Sequence, residues 1–214
     1  MGNARFGSDY YDHEYFEGSS KSVYGKLYEG GYTRELFMPH KIKELIYLLG
    51  LSGYTSRWLP KTALVAGCGP GYMVEAMQLD GNIEGHGVDI SEYAISRGRS
   101  EGVKNLRVGD ICQLHFTENE FEFVVCCDTL ELIPEDFGQL AQAIDELVRV
   151  CNGFICITTR MPSPQTDKEL GESYHSIRDP NWWVQEFEKR GVKTYHQSEQ
   201  IETMMAVSIF KVIQ

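Results

Sequence analysis

A chain of 214 residues with 42% hydrophobic and 24% charged side chains can bury one ample core and is too short for several domains. Its formal charge of −11 argues against a phosphate-binding surface, and no Lys/Arg cluster makes a local one, so nucleic acid is not an expected partner. No stretch approaches the roughly twenty apolar residues of a membrane span.

The amino terminus lacks a charged-then-apolar leader pattern. Phe6 stands where the myristoylation motif opened by Met1-Gly2 wants Ser or Thr. The six cysteines show no C-x-x-C spacing, which argues against zinc and redox motifs. Cys126, Cys127 and Cys156 fall in apolar, strand-like runs, and Cys151 stands at a helix end. Free cysteines of this kind act as small hydrophobes. The expected setting is the reducing cytoplasm, with no disulfide and no metal centre.

Residues 1 to about 32 have no clear periodicity but carry Tyr10, Tyr11, Tyr15, Phe16, Tyr24, Tyr28 and Tyr32. So many rings need a surface to lie on, which argues against a plain disordered tail. Residues 33–49 read as a helix, with Leu36, Phe37, Ile42, Leu45, Ile46 and Leu49 at spacings of three and four. Pro39 falls inside it, so the helix is expected to kink or to begin near Met38.

A first strand at 62–66 breaks into Gly67, Gly69 and Gly71. The pattern is G-x-G-x-G. The dinucleotide fingerprint would need its third glycine at position 72, which is Tyr72. The loop therefore suits a nucleoside-bearing ligand rather than the pyrophosphate of NAD. The helix at 72–79 points its positive end at that ligand.

The second strand ends at Asp89, eighteen residues after Gly71. An acid at this place in a doubly wound sheet hydrogen-bonds ribose hydroxyls. Ser91 caps a helix at 92–100. A short third strand at 106–108 leads to Asp110, placed to accept from an adenine amino group. The fourth strand is 121–126. Pro134 opens a loop before a helix at 137–150, whose apolar face holds Leu140, Ile144, Leu147 and Val148. The continuously apolar fifth strand at 154–158 fits a sheet covered on both sides. A polar segment, a helix at 182–189 and strands at 193–196 and 204–212 complete the chain. The alternation predicts a single α/β domain over residues 1–214, with an amino-terminal segment and helix at 1–57 and a core at 58–214.

The glycine loop, Asp89 and Asp110, in this order and spacing, resemble the class I S-adenosylmethionine-dependent methyltransferases. The run from Phe121 to Ile133 looks like that family's fourth strand and following turn, and the resemblance covers about residues 58–212. It implies a Rossmann-like, doubly wound, seven-stranded sheet of order 3-2-1-4-5-7-6, its last strand antiparallel, with helices on both faces. It also implies S-adenosyl-L-methionine as cofactor and S-adenosyl-L-homocysteine as product. Ala66, Gly67, Cys68, Gly69, Gly71, Asp89, Ile90, Asp110, Ile111 and Cys126 would then lie at the cofactor. By the same resemblance, the aromatic amino-terminal segment forms a lid. Tyr24 would pack on the cofactor and Arg34 would pair with its methionine carboxylate. Two residues depart from the family pattern: Ala66 replaces an acid and Leu132 a histidine.

The acceptor side is less defined. His175, after the fifth strand, is the candidate general base, since an unperturbed imidazole titrates near neutrality. Asp128 and Glu131 follow the fourth strand. The N/D-P-P-Y/F signature of amino-directed DNA and glutamine methyltransferases is absent, the segment reading Cys127-Asp128-Thr129-Leu130. The carboxylate pair of a magnesium site is incomplete. Together with the acidic charge, this points to a small-molecule acceptor. Tyr15-Phe16-Glu17-Gly18-Ser19 and Trp182-Trp183 are similar to methyltransferases of sugar or secondary-metabolite pathways. The expected enzyme is a monomer or homodimer. The alternatives are a catalytically inactive protein of the same fold and, less favoured by the glycine spacing, an NAD(P)-dependent oxidoreductase.

Overall fold

A computed structural model of the chain describes residues 7–17, 31–79, 82–135, 138–162, 175–200 and 205–213. In chain order the elements are α1 (His13–Phe16), α2 (Arg34–Leu51), β1 (Thr62–Ala66), α3 (Tyr72–Leu79), β2 (Glu84–Asp89), α4 (Glu92–Ser100), β3 (Leu106–Val108) and β4 (Phe121–Cys127). A single 3-10 turn at Leu130–Leu132 follows, then α5 (Gln139–Val150), β5 (Cys151–Arg160), α6 (Pro180–Glu188), β6 (Lys193–Gln200) and β7 (Met205–Lys211).

The strands form one seven-stranded sheet in the order β3-β2-β1-β4-β5-β7-β6. The first five strands pair in parallel, with helices connecting β1 to β2, β2 to β3 and β4 to β5. The connection from β6 to β7 is too short for a crossover, so β7 runs antiparallel to β6 and also to β5. The strand order reverses between β1 and β4, and the crevice at their carboxyl ends is where ligands bind in such sheets.

Strand alternation sorts the core into two layers. Leu64, Val124, Cys126, Ile155 and Ile157 face α5 and α6, meeting Leu140, Ile144, Leu147, Trp183 and Phe187. Ala63, Val65, Phe123, Val125 and Cys156 face the other way, against Leu45 and Leu48 of α2 and Met73 and Met77 of α3. Both faces are covered, which is why the central strands are apolar throughout rather than alternating.

Three boundaries differ from the sequence reading. Helix α2 begins at Arg34, close to the expected residue 33, and of the two alternatives at Pro39 the later start near Met38 is not the one taken, because Thr33 caps the helix by accepting from the Leu36 amide. Pro39 is accommodated inside the helix. It removes one bond to the Glu35 carbonyl, and both residues lie on the exposed face where water can replace the lost donor. Strand β5 extends from Cys151 to Arg160, beyond the expected 154–158, so Cys151 both caps the end of α5 and opens the strand. Its polar far end is held by pairing of Thr158, Thr159 and Arg160 with β7. Helix α6 begins at Pro180, behind an Asp179 carboxylate that accepts from Asn181 N at 2.8 Å. Among the described residues, no helix is long and apolar enough to cross a membrane, and the six cysteines are free thiols.

Candidate active site

A cleft opens at the carboxyl ends of β1, β2 and β4, at the reversal point of the sheet. Its floor is the glycine loop. Gly67 has φ of +73°, and a Cβ there would stand 2.2 Å from Thr129 Oγ1. Position 67 thus requires glycine both for its backbone and for the space that Thr129 fills. The amides of Gly67 and Cys68 donate to the Val88 carbonyl at 2.8 and 3.0 Å, tying the loop to the end of β2.

Asp89 organises this corner. Its Oδ2 accepts from Gly69 N at 2.7 Å and its Oδ1 from Ser91 N at 2.9 Å. Burial raises the Asp89 carboxyl above the usual range, and the Ser91 and Gly69 amides pull it back. One carboxylate thereby joins the first loop to the second, and its remaining lone pairs are available to the cleft. Ile90, Gly109 and Ile111 continue the wall as an apolar slot beside it.

The amino-terminal residues close the opposite side. Tyr11, Tyr15 and Phe16 are buried and line the cleft. They pack edge to face, with Tyr11 and Tyr15 centroids 4.9 Å apart and Tyr15 and Phe16 5.1 Å apart. Helix α4 holds the segment from outside. Ser91 Oγ donates to the Tyr11 carbonyl, Tyr93 Oη donates to Glu17 at 2.6 Å, and Arg97 pairs with Glu17 at 2.9 Å.

On the β4 side the lining turns polar: Tyr32, Lys41, Cys127, Asp128 and Thr129. Asp128 has φ of +51°, a left-handed conformation that aspartate tolerates better than most residues. It is pinned to β5 by Asp128 N donating to the Thr158 carbonyl at 3.0 Å and by Thr158 Oγ1 donating to Asp128 Oδ1 at 3.2 Å. Burial opposes the charge on Lys41, but Tyr32, Glu44, Cys127 and Asp128 around it prevail and hold its ammonium well above the usual lysine range. Burial pushes the Tyr32 phenol up to about 12 and raises the thiols of Cys68 and Cys127, so all three keep their protons at neutral pH.

The residues singled out from sequence divide accordingly. Gly67, Cys68, Gly69, Asp89, Ile90 and Ile111 line the cleft together. Gly71 stands behind it, where a Cβ would meet Leu106 at 2.6 Å. Ala66 and Cys126 point their side chains into the core on the far face of the sheet. By strand alternation it is Val65 and Cys127 that face the cleft instead. Asp110 is next to the lining residues Gly109 and Ile111, and its Oδ1 accepts from Cys112 N at 2.8 Å. Arg34 is not among the lining residues. Its guanidinium is taken up by Glu75 of α3, with Nε 2.9 Å from Oε2. His175 also lies outside the lining, with its amide donating to the Glu131 carbonyl at 2.9 Å. Tyr24 lies outside the described residues. Lys41 escaped the sequence reading, although it continues the buried stripe of Phe37, Met38, Leu45 and Leu48, a weak signal that it faces inward.

Glu131 sits behind the cleft, fully buried, its Oε1 accepting from Arg160 N at 3.2 Å. Its Oε2 has no hydrogen-bond partner among the described residues. Burial first, and then the neighbouring Asp128, push its carboxyl from 4.5 up to about 8. Between those values the folded chain holds a proton that the unfolded chain has lost. Stability therefore falls as pH rises from about 4.5 to about 8. Glu131→Gln is expected to flatten that fall, as measured by urea unfolding at both ends of the window. An equally steep fall in the variant would remove Glu131 as its source.

Residues 64–156 match the family model described as a methyltransferase domain. No curated protein sequence matches the chain. Among solved structures, magnesium protoporphyrin IX methyltransferase from Synechocystis PCC 6803, with S-adenosylhomocysteine bound, is similar at a TM-score of 0.70 and 14% identity, over 96% of this chain and 98% of that one. The putative methyltransferase in complex with the Trm112 methyltransferase activator of Haloferax volcanii is similar at a TM-score of 0.64 and 14% identity, over 85% and 97% of the two chains. An S-adenosylmethionine-dependent methyltransferase from Clostridium acetobutylicum gives 0.64 and 13%, over 83% and 92%.

Proposed function

We propose that this chain, a class I S-adenosylmethionine-dependent methyltransferase, transfers the methyl group to a small-molecule acceptor. The observation that carries the cofactor half is Asp89, bonded to the Gly69 amide at the carboxyl end of β2 and facing the cleft. The residues present fit S-adenosylmethionine. Asp89 has the lone pairs to receive ribose hydroxyls, Ile90 and Ile111 offer an apolar slot for adenine, and the glycine loop lets the ligand approach bare backbone.

The small-molecule reading is supported by the enclosure of the cleft under Tyr11, Tyr15 and Phe16 and by the acidic balance of the chain. One structural neighbour is named for a porphyrin substrate, which is compatible with that reading. We assign residues 1–57 to the cover and its supporting helix, residues 58–214 to the cofactor-binding core, and the reducing cytoplasm as the setting.

When bound, the cofactor supplies an electrophilic methyl group on a sulfonium. The chain's own residues hold the acceptor in line, exclude water and receive a proton. The aromatic cover serves the second task. Leu132 lines the cleft where the family usually has histidine, so that position offers no proton acceptor.

S-adenosylhomocysteine is expected to stabilise the chain against thermal unfolding, by about 2.7 kcal/mol at one hundred times its dissociation constant. NAD and NADP are expected to leave the transition unmoved. Stabilisation by NAD equal to that by S-adenosylhomocysteine would overturn the assignment in favour of an oxidoreductase.

A further inference from the structure

Building on the methyltransferase reading, we propose that Lys41 and Asp128 form the acceptor end of the cleft and that the acceptor reacts through a neutral hydroxyl group. Lys41 binds the acceptor oxygen and Asp128 removes its proton.

The placement comes from the sheet order. The loop after β1, Asp89 after β2, and Gly109 and Ile111 after β3 make the adenosine side. Cys127 ends β4 and Asp128 and Thr129 follow it, on the other side of β1, and α2 brings Lys41 against them. A bound methyl donor therefore has the β4 side left for its acceptor.

Lys41 is built to hold a charge in this position. Its side chain is only 17% exposed, on a helix with solvent-facing positions available for a lysine that merely needs water. Burying an ammonium is costly unless it is paired. Glu44 provides the pairing, accepting from Nζ at 2.7 Å. An ammonium has three donors. Among the described residues the other two have no partner, and the residue faces the cleft. Asp128 is complementary. Thr158 occupies its Oδ1, while Oδ2 carries no hydrogen bond among the described residues. Its left-handed backbone is fixed by two bonds to Thr158, so the carboxylate has a defined position at the lining. The groups facing this pair are Tyr32, Glu44, Cys127, Glu131 and Arg160.

One cation and one carboxylate at the acceptor end discriminate among nucleophiles. A carboxylate acceptor has no proton to give up, and Asp128 repels it. A protonated amine is repelled by Lys41. A hydroxyl enters neutral and becomes negative as it reacts, so it gains from Lys41 mainly in the transition state. The acceptor O–H proton passes to the Asp128 carboxylate. The oxygen forms a bond to the methyl carbon as the carbon–sulfur bond breaks, leaving its electron pair on sulfur.

The test uses the full chain saturated with S-adenosylhomocysteine, with 4-nitrophenol as probe, because its phenolate absorbs visibly. Bound 4-nitrophenol is expected to ionise about one pH unit or more below the free phenol, as an adjacent cation requires. Lys41→Met should abolish that shift and Lys41→Arg should retain part of it. With S-adenosylmethionine and the panel phenol, benzoate and benzylamine, the last protonated at neutral pH, phenol should be methylated fastest, and Asp128→Asn should slow it at least tenfold at neutral pH. Affinity for S-adenosylhomocysteine, measured by calorimetry, should stay within twofold in each variant, which also verifies folding. Absence of probe binding, an unshifted probe, a shift that survives Lys41→Met, or faster methylation of benzoate or benzylamine overturns the inference. Failure of the unaltered chain to bind S-adenosylhomocysteine would instead overturn the methyltransferase reading beneath it.

Discussion

Asp89→Ala is expected to weaken S-adenosylmethionine binding by about 2–3 kcal/mol, roughly thirtyfold to over a hundredfold in dissociation constant. Charge-assisted hydrogen bonds to a ribose diol account for a loss of that size. The structure adds a second contribution. Asp89 accepts from both Gly69 N and Ser91 N, so the substitution also frees the glycine loop from the turn after β2. Asp89→Asn is not a mild substitute. Both backbone partners are donors, and an amide side chain can accept with only one of its two arms. The asparagine variant is therefore expected to lose affinity too, by less than the alanine variant. Calorimetry on folded protein decides the matter, and unchanged affinity in Asp89→Ala would mean that the ribose lies elsewhere.

Gly98→Ala is expected to destabilise the fold by about 3 kcal/mol, against the ordinary sign for this substitution in a helix. Alanine normally favours a helix by about 1 kcal/mol over glycine. Here α4 crosses the glycine loop at bare backbone. A Cβ on residue 98 would lie 2.0 Å from the Pro70 carbonyl oxygen and 2.7 Å from Leu106 Cδ1. A carbonyl cannot swing away as a side-chain tip can, so the helix or the loop must move. Pro70 lies between Gly69 and Gly71, so cofactor affinity should fall together with stability. Thermal unfolding should show a melting temperature lower by about 6–12 °C for a chain of this length. A melting temperature equal to or above that of the unaltered chain would show that α4 does not pack this closely.

Much of this architecture was legible because its signals are local. Apolar runs broken by glycine mark strand ends, and period-four apolar spacing marks helices, whatever the rest of the chain does. The corner proposed for the cofactor shares that property. Gly67, Gly69 and Asp89 each take their meaning from a strand that ends beside them, and the cleft brings them together. Pairings over long separations were not legible. Arg34, expected at the cofactor, finds Glu75 forty-one residues away. A long cation meets whichever carboxylate the packing of α2 on α3 presents, and composition does not reveal which one. Pro39 alone does not decide where α2 begins, for a related reason: exposure of Glu35 and Pro39 on one face determines whether a missing hydrogen bond matters.

The sequence by itself determined the alternation of strands and helices, the glycine loop and the acid at the end of the second strand, because backbone conformation and strand phase follow from neighbouring residues. Tertiary structure alone decided which face of each strand meets the cleft. That choice put Cys127 and Val65 at the lining and sent Cys126 and Ala66 into the core. It also turned inward Lys41, a residue type that composition leaves in solvent, and folded Tyr11, Tyr15 and Phe16 over the cleft through contacts to Ser91, Tyr93 and Arg97 some eighty residues on. The physical reason is common to these cases. Burial and charge pairing depend on which surfaces the packed helices bring together, and that exists only once the chain has closed on itself.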